Sequence, residues 1–125
     1  MRQAPLFTVF LWLSFATFSA QTLAKGTKEV WYQKVWCDGV GGEMEVKLPE
    51  GPRVDCMTKT HAIEMDFAHK WTEAIGQSLY YSTLTGLDAG IVLILKSHSD
   101  APHLKAAQKT IDRYKLPIKL WPLGP

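Results

Sequence analysis

Acids cluster where this chain is otherwise most apolar. Glu64 and Asp66 alternate with Ile63, Met65 and Phe67 in the run H-A-I-E-M-D-F-A, from His61 to Ala68. Asp55 lies upstream in R-V-D, and Glu43 and Glu45 lie further upstream in E-M-E-V-K. On neighbouring strands, roughly 4.8 Å apart, such carboxylates come within reach of one another. Two of them about 5 Å apart repel by roughly 3 kcal/mol at an effective dielectric of about 20. A divalent cation removes that penalty, and hard oxygen donors of this kind suit Mg²⁺ or Mn²⁺. The competing reading is a half-buried strand whose polar side meets water.

Period-two alternation puts Glu64 and Asp66 on one sheet face with Ala62 and Ala68, and Ile63, Met65 and Phe67 on the other. The next segment switches to a helical period. At about 100 degrees per residue, Lys70, Gln77 and Tyr81 fall within about 40 degrees of one another. A cation, an amide and a phenol therefore share one stripe directly after the acidic strand. A solvated helix face more often carries charges than Gln and Tyr, and Glu73 lies off this stripe. His61, His69, His98 and His103 show no ligand spacing. Neither Cys37 nor Cys56 sits in a Cys-x-x-Cys or Cys/His cluster, which argues against a zinc site.

The elements that must position these groups can be read in order. Residues Lys28 to Asp38 suit a helix, with Trp31 and Val35 at i, i+4, ended by Gly39, Gly41 and Gly42. E-M-E-V-K-L-P alternates like a strand, P-E-G-P is a turn, R-V-D-C-M-T is a second strand, and His61 to Ala68 a third. A helix follows from Trp71 to about Leu84, packing through Trp71, Ala74, Ile75, Ser78 and Leu79, with Gly86 as its stop. G-I-V-L-I-L-K is a continuous apolar run, as expected of a strand covered on both faces. A helix from about Pro102 to Tyr114 and a short strand, I-K-L-W-P, complete the order α-β-β-β-α-β-α-β. The three strands joined by turns imply an antiparallel meander, and the strand-helix-strand unit implies a parallel crossover. The expected result is an α/β (α+β) domain with a mixed sheet.

The 125 residues suit one domain. Arg2 carries the only side-chain charge before Lys25, and an apolar run from Leu6 to Ala20 precedes Q-T-L-A-K. That is the layout of a secretory leader, with cleavage after Ala24 or, alternatively, Ala20. The run is short for a membrane span, which needs roughly 20 apolar residues. The expected organisation is a cleaved signal peptide over 1–24 and a single domain over 25–125. The protein would then be periplasmic or secreted, with no stable membrane insertion. Charge is nearly balanced, with 14 basic residues, one of them Arg2, against 12 acidic ones. This gives no electrostatic case for tight nonspecific nucleic-acid binding, although a local basic groove stays open. An exported chain with two cysteines favours a Cys37–Cys56 disulfide over two buried thiols. Closing that loop of about 20 residues stabilises by roughly 3 kcal/mol.

R-V-D, A-I-E-M-D and Q-S-L-Y-Y, in this strand order, resemble the PD-(D/E)xK nuclease superfamily, the restriction-endonuclease-like fold. The resemblance runs from about Lys28 to Ile94, and the stretch from Arg53 to Tyr81 also resembles small exported bacterial proteins of this type. It implies an α-β-β-β-α-β core, here followed by one helix and a short strand. It implies metal-dependent hydrolysis of phosphodiesters in nucleic acid, DNA being favoured, and it allows for a homodimer. Asp55 would match the second-strand Asp and Glu64 the third-strand acid, together holding Mg²⁺ or Mn²⁺ with the Met65 carbonyl as a third ligand. Glu45, ahead of Glu43, would be the upstream acid. Gln77 and Tyr81 would match the family's Gln-x-x-x-Tyr and orient ligands or the nucleic-acid backbone. One departure stands out: Asp66 occupies the position two after Glu64, where the family has Lys. Lys70 is the candidate relocated lysine, and Asp66 a further ligand or a base. The alternative is a catalytically degenerate nuclease-fold binding protein of the cell envelope.

Overall fold

The computed structural model describes the backbone of residues 20–125 and side-chain surroundings from residue 28 onward. Most of the expected leader, residues 1–19, lies outside the described residues. The strand patterns joined by short turns form the expected meander. β1 (Glu43–Lys47) pairs antiparallel with β2 (Arg53–Met57), and β2 pairs antiparallel with β3 (His61–Phe67). A single 3₁₀ turn, Ala68–Lys70, leads into α2 (Trp71–Thr85), which returns the chain so that β4 (Asp88–Ile94) runs parallel to β3. α3 (Ala101–Tyr114) repeats the move for β5 (Ile118–Leu123), parallel to β4. The result is a five-stranded mixed sheet in the order β1-β2-β3-β4-β5, an α+β architecture.

Both crossovers step in the same direction, so the handedness rule sends α2 and α3 to one face of the sheet. There Trp71, Ala74 and Ile75 of α2 and Leu104 and Ala107 of α3 pack on Ile91 and Leu93. The opposite face is covered by α1 (Ala20–Gly39), whose Trp36 and Cys37 join Cys56, Ile63, Met65 and Val92. β4 is therefore enclosed from both sides, and Ala89 to Leu95 is buried throughout, as its unbroken apolar run requires. α2 stops where expected, at Gly86 in the left-handed conformation, whose N–H donates to the Ser82 carbonyl.

α1 departs from the sequence reading twice. It begins at Ala20 rather than Lys28, so it runs through the expected cleavage point at Ala24. Its packing stripe is also different: Trp31 and Val35 are 60% and 53% exposed, while Gln33 and Cys37 are buried. The reason is long-range. Cys37 is bonded to Cys56 on β2, with the two Cα atoms 5.8 Å apart. That bond fixes the helix's rotation, and Trp31 and Val35 sit roughly 120 and 160 degrees around the helix from Cys37.

The disulfide closes a separation of 19 residues and ties the outer hairpin to the covering helix. Replacing both cysteines by alanine is expected to cost about 3 kcal/mol. In a domain of this size calorimetry should register a fall of roughly 12–24 °C in Tm. An unchanged Tm would mean that the hairpin is held by other contacts.

Candidate functional site

The β2–β3 hairpin is paired only near its turn, through Cys56↔Ile63 and Met57↔Ala62. On its other edge β3 is paired with β4 along its whole length, from His61↔Asp88 to Phe67↔Ile94. Where the β2 ladder stops, a side chain takes over: the Met65 N–H donates to Asp55 Oδ2 at 2.8 Å. Asp55 is half-buried there, in the gap between two strands.

Glu64 and Asp66 are not solvated. They are only 4% and 5% exposed, because α2 lies across their face of the sheet. Tyr81 of α2 is 3% exposed, and its hydroxyl faces the Glu64 carboxyl. Glu64 Oε2 is buried with no hydrogen-bond partner among the described residues. A lone buried carboxylate oxygen is costly, and a neutralising partner or a proton relieves it. Burial, and then the charge of Asp55, push the Glu64 carboxyl up to about 9. Burial pushes Asp55 up to about 6, against the Met65 hydrogen bond, which pulls it down. At neutral pH and without a cation, the Asp55–Glu64 pair therefore retains a proton between its two carboxyls. Tyr81 is raised well above the usual phenol value, by burial first and then by Glu64.

Asp66 takes a different part. Its Oδ1 accepts the Phe67 N–H at 2.8 Å and lies 3.6 Å from Lys70 Nζ. Burial raises its pKa and the Lys70 ammonium opposes the rise. Lys70 stands at the N-terminal boundary of α2, half-exposed, so its charge is held at the C-terminal end of β3 beside the acids. Glu45 lies on β1 between the pairs Met44↔Cys56 and Val46↔Val54, level with Asp55. It is exposed, sits at a φ of 53°, and stands 3.7 Å from Arg53 Nε. A non-glycine residue at that φ is strained, and such strain concentrates at functional sites. Glu43 is at the far end of β1, opposite Met57.

Glu29 was missed from the sequence. It is half-buried on α1, and its pKa is raised by burial and by Asp66 and lowered by Lys70. The available signal was the spacing Glu29-Gln33-Cys37, at i, i+4 and i+8, once Cys37 was taken to face the sheet. Gln77 is exposed one turn before Tyr81, so the amide and the phenol of the expected stripe part company. Tyr81 lies within about 20 degrees of Ala74 and Gln77 about 60 degrees away, which puts the phenol on the inner face of α2.

Among the described residues no three His, Cys, Asp or Glu side chains form a ready metal cluster. The chain matches no protein-family model, no curated protein and no solved structure.

Proposed function

We propose that this domain hydrolyses phosphodiester bonds in nucleic acid, using Mg²⁺ or Mn²⁺ held by Asp55 and Glu64. The observation that carries the reading is the unpartnered, buried Glu64 Oε2 beside Asp55, at the one place where β2 and β3 cease to pair. The donor set fits. Mg²⁺ commonly binds through one or two carboxylates and keeps several waters, so a full protein cage is not needed. When bound, the cation supplies Lewis-acid polarisation of a phosphoryl oxygen and makes a bound water more acidic.

The chain's own residues do the rest. The Met65 N–H fixes one Asp55 oxygen, and the Asp55 and Glu64 carboxyls lie side by side within hydrogen-bonding reach. Tyr81 limits water access to Glu64 from the α2 side, and Glu45 and Glu29 extend the acidic field at the rim. Lys70 is the positive group beside the acids and would stabilise charge building on the phosphoryl group. Asp66 holds Lys70 in place, which gives a role to the acid standing at the family's lysine position. Lys70→Gln is expected to lower cleavage about a hundredfold, with Lys70→Arg retaining part of it, since a preorganised donor is worth that much in a transition state. Steady-state cleavage rates of the two variants check this.

The test of the whole reading is cleavage of plasmid and oligonucleotide substrates by the purified protein with Mg²⁺ or Mn²⁺, against EDTA and against Asp55→Ala. Cleavage that needs the cation and is lost in Asp55→Ala is expected. Equal activity in Asp55→Ala, or none under any condition, rejects it. The binding-protein alternative draws on Asp66 at the usual lysine position. Calorimetric titration with Mn²⁺ separates the two, because that alternative requires no cation at Asp55 and Glu64.

A further inference from the structure

A second concave site lies on the α1 face, at the opposite end of β3 from the acids. Trp36, Thr58, Thr60, His61, Lys119 and Trp121 line a cleft of about 250 Å³. His61 opens β3, roughly 10–17 Å along the strand from Glu64 and Asp66. The cleft is built into the sheet. A Cβ at Gly90 would come 2.7 Å from Trp121 Cζ3, so the bare glycine is what lets the indole lie against β4. Trp121 meets Trp36 with ring centroids 5.4 Å apart and a 58° tilt, and meets His61 edge-on at 5.4 Å. The Thr60 hydroxyl is 2.8 Å from His61 Nδ1 and fixes the orientation of the imidazole. Both indoles are half-buried, leaving part of each to the cleft.

Charge narrows the ligand. Lys119 Nζ stands 5.0 Å from the Trp121 ring centroid and has no carboxylate partner among the described residues. No acid lines the cleft. Asp88, level with His61 in the β3–β4 register, is exposed at the start of its strand and stands outside the lining. Aromatic walls, two hydroxyls and an imidazole beside an unopposed cation suit a flat ring that carries an anion. Base-on-aromatic stacking beside a positive charge is how unpaired nucleic acid is gripped. A duplex keeps its base faces stacked inward and cannot offer them.

We propose that this cleft holds one unpaired nucleotide of a single-stranded nucleic acid, its base against Trp36 and Trp121 and its phosphate at Lys119. The choice of ligand rests on the nucleic-acid reading of the carboxylate site. The test is fluorescence anisotropy with a short 5′-labelled oligothymidylate in EDTA, where no cation-dependent cleavage can occur. Trp36→Ala and Lys119→Gln should each raise Kd about tenfold, and Lys109→Gln, which removes an exposed lysine of α3 outside the cleft, should leave it unchanged. Lys119→Gln carries the test if Trp36→Ala fails to fold, because Lys119 is a surface residue. Unchanged Kd in the cleft variants overturns the proposal, as does a duplex or thymidine monophosphate bound as tightly as the oligonucleotide. The two readings fail separately. Cleavage that needs Asp55 with binding indifferent to the cleft overturns the cleft alone. Single-strand binding that needs Trp36 and Lys119, in a protein that cleaves nothing, overturns the hydrolysis alone.

Discussion

Glu64→Gln is expected to lower Mg²⁺- or Mn²⁺-dependent cleavage by about a hundredfold to a thousandfold and to leave Tm unchanged or higher. Glutamine has the same shape but cannot ionise, so it cannot supply a full charge to a cation. The fold should not suffer, because both carboxyls of the Asp55–Glu64 pair are raised and the pair already holds a proton at neutral pH without a cation. A permanently neutral amide changes little in that state, and it offers an N–H₂ donor to the ionised Asp55. Glu64→Ala is the contrasting variant. It removes buried volume against Tyr81 and should destabilise by about 2 kcal/mol or more. Cleavage rates and melting curves taken on the same preparations separate loss of chemistry from loss of fold. Wild-type cleavage by the glutamine variant would remove Glu64 from the site.

Without a divalent cation, stability should fall as pH rises from about 5 to 9. Asp55 is raised from 3.8 to about 6 and Glu64 from 4.5 to about 9. Both folded values lie above the unfolded ones, so the folded state binds more protons. The extra stability is complete below the unfolded values and is lost as pH climbs through the folded ones. Both carboxyls contribute to the loss up to about pH 6, and one proton's difference then persists up to about 9. One proton's difference corresponds to at most about 1.4 kcal/mol per pH unit. For a domain near 100 residues that is a fall of up to roughly 5–11 °C in Tm per unit. Mn²⁺ should flatten the slope, because it replaces the proton and binds better as pH rises. Thermal melts at unit intervals from pH 5 to 9, with EDTA and with Mn²⁺, check both parts. A flat profile in EDTA would contradict a protonated, buried Glu64.

The order of elements was legible because the period changes from two to helical after Ala68 and because β4 is an unbroken apolar run. The Cys37–Cys56 bridge was legible from the cysteine count together with the expectation of export. The burial of Glu64 and Asp66 was not. Alternation assigns residues to a face, but whether that face meets water or a helix depends on where α2 packs, which is a tertiary fact. The same gap hid Glu29. The apolar pair Trp31 and Val35 pointed to one face of α1, and a bond to a distant strand turned the helix to another. Nothing in E-M-E-V-K marks Glu45 for a positive φ, and nothing in R-V-D-C-M says that its ladder with β3 ends after two pairs. Gln77 and Tyr81 were placed on one stripe by angles that cannot tell which edge of the stripe is inside.

The unequal pairing of β3 has a mechanical consequence. Glu64 is mounted on a stiff rail, locked into β4 through every residue of its strand. Asp55 and Glu45 ride on a flap, hinged near its turn and moored to α1 by one covalent bond. The spacing between the two carboxyls is therefore governed by the hinge, the mooring and the single Met65–Asp55 hydrogen bond rather than by a continuous ladder. If the pair holds a cation as proposed, discrimination between Mg²⁺, with contacts of about 2.0–2.1 Å, and Ca²⁺, with contacts of about 2.3–2.6 Å, would fall to the stiffness of that hinge. Cutting the mooring would relax the choice of ion before it abolished binding.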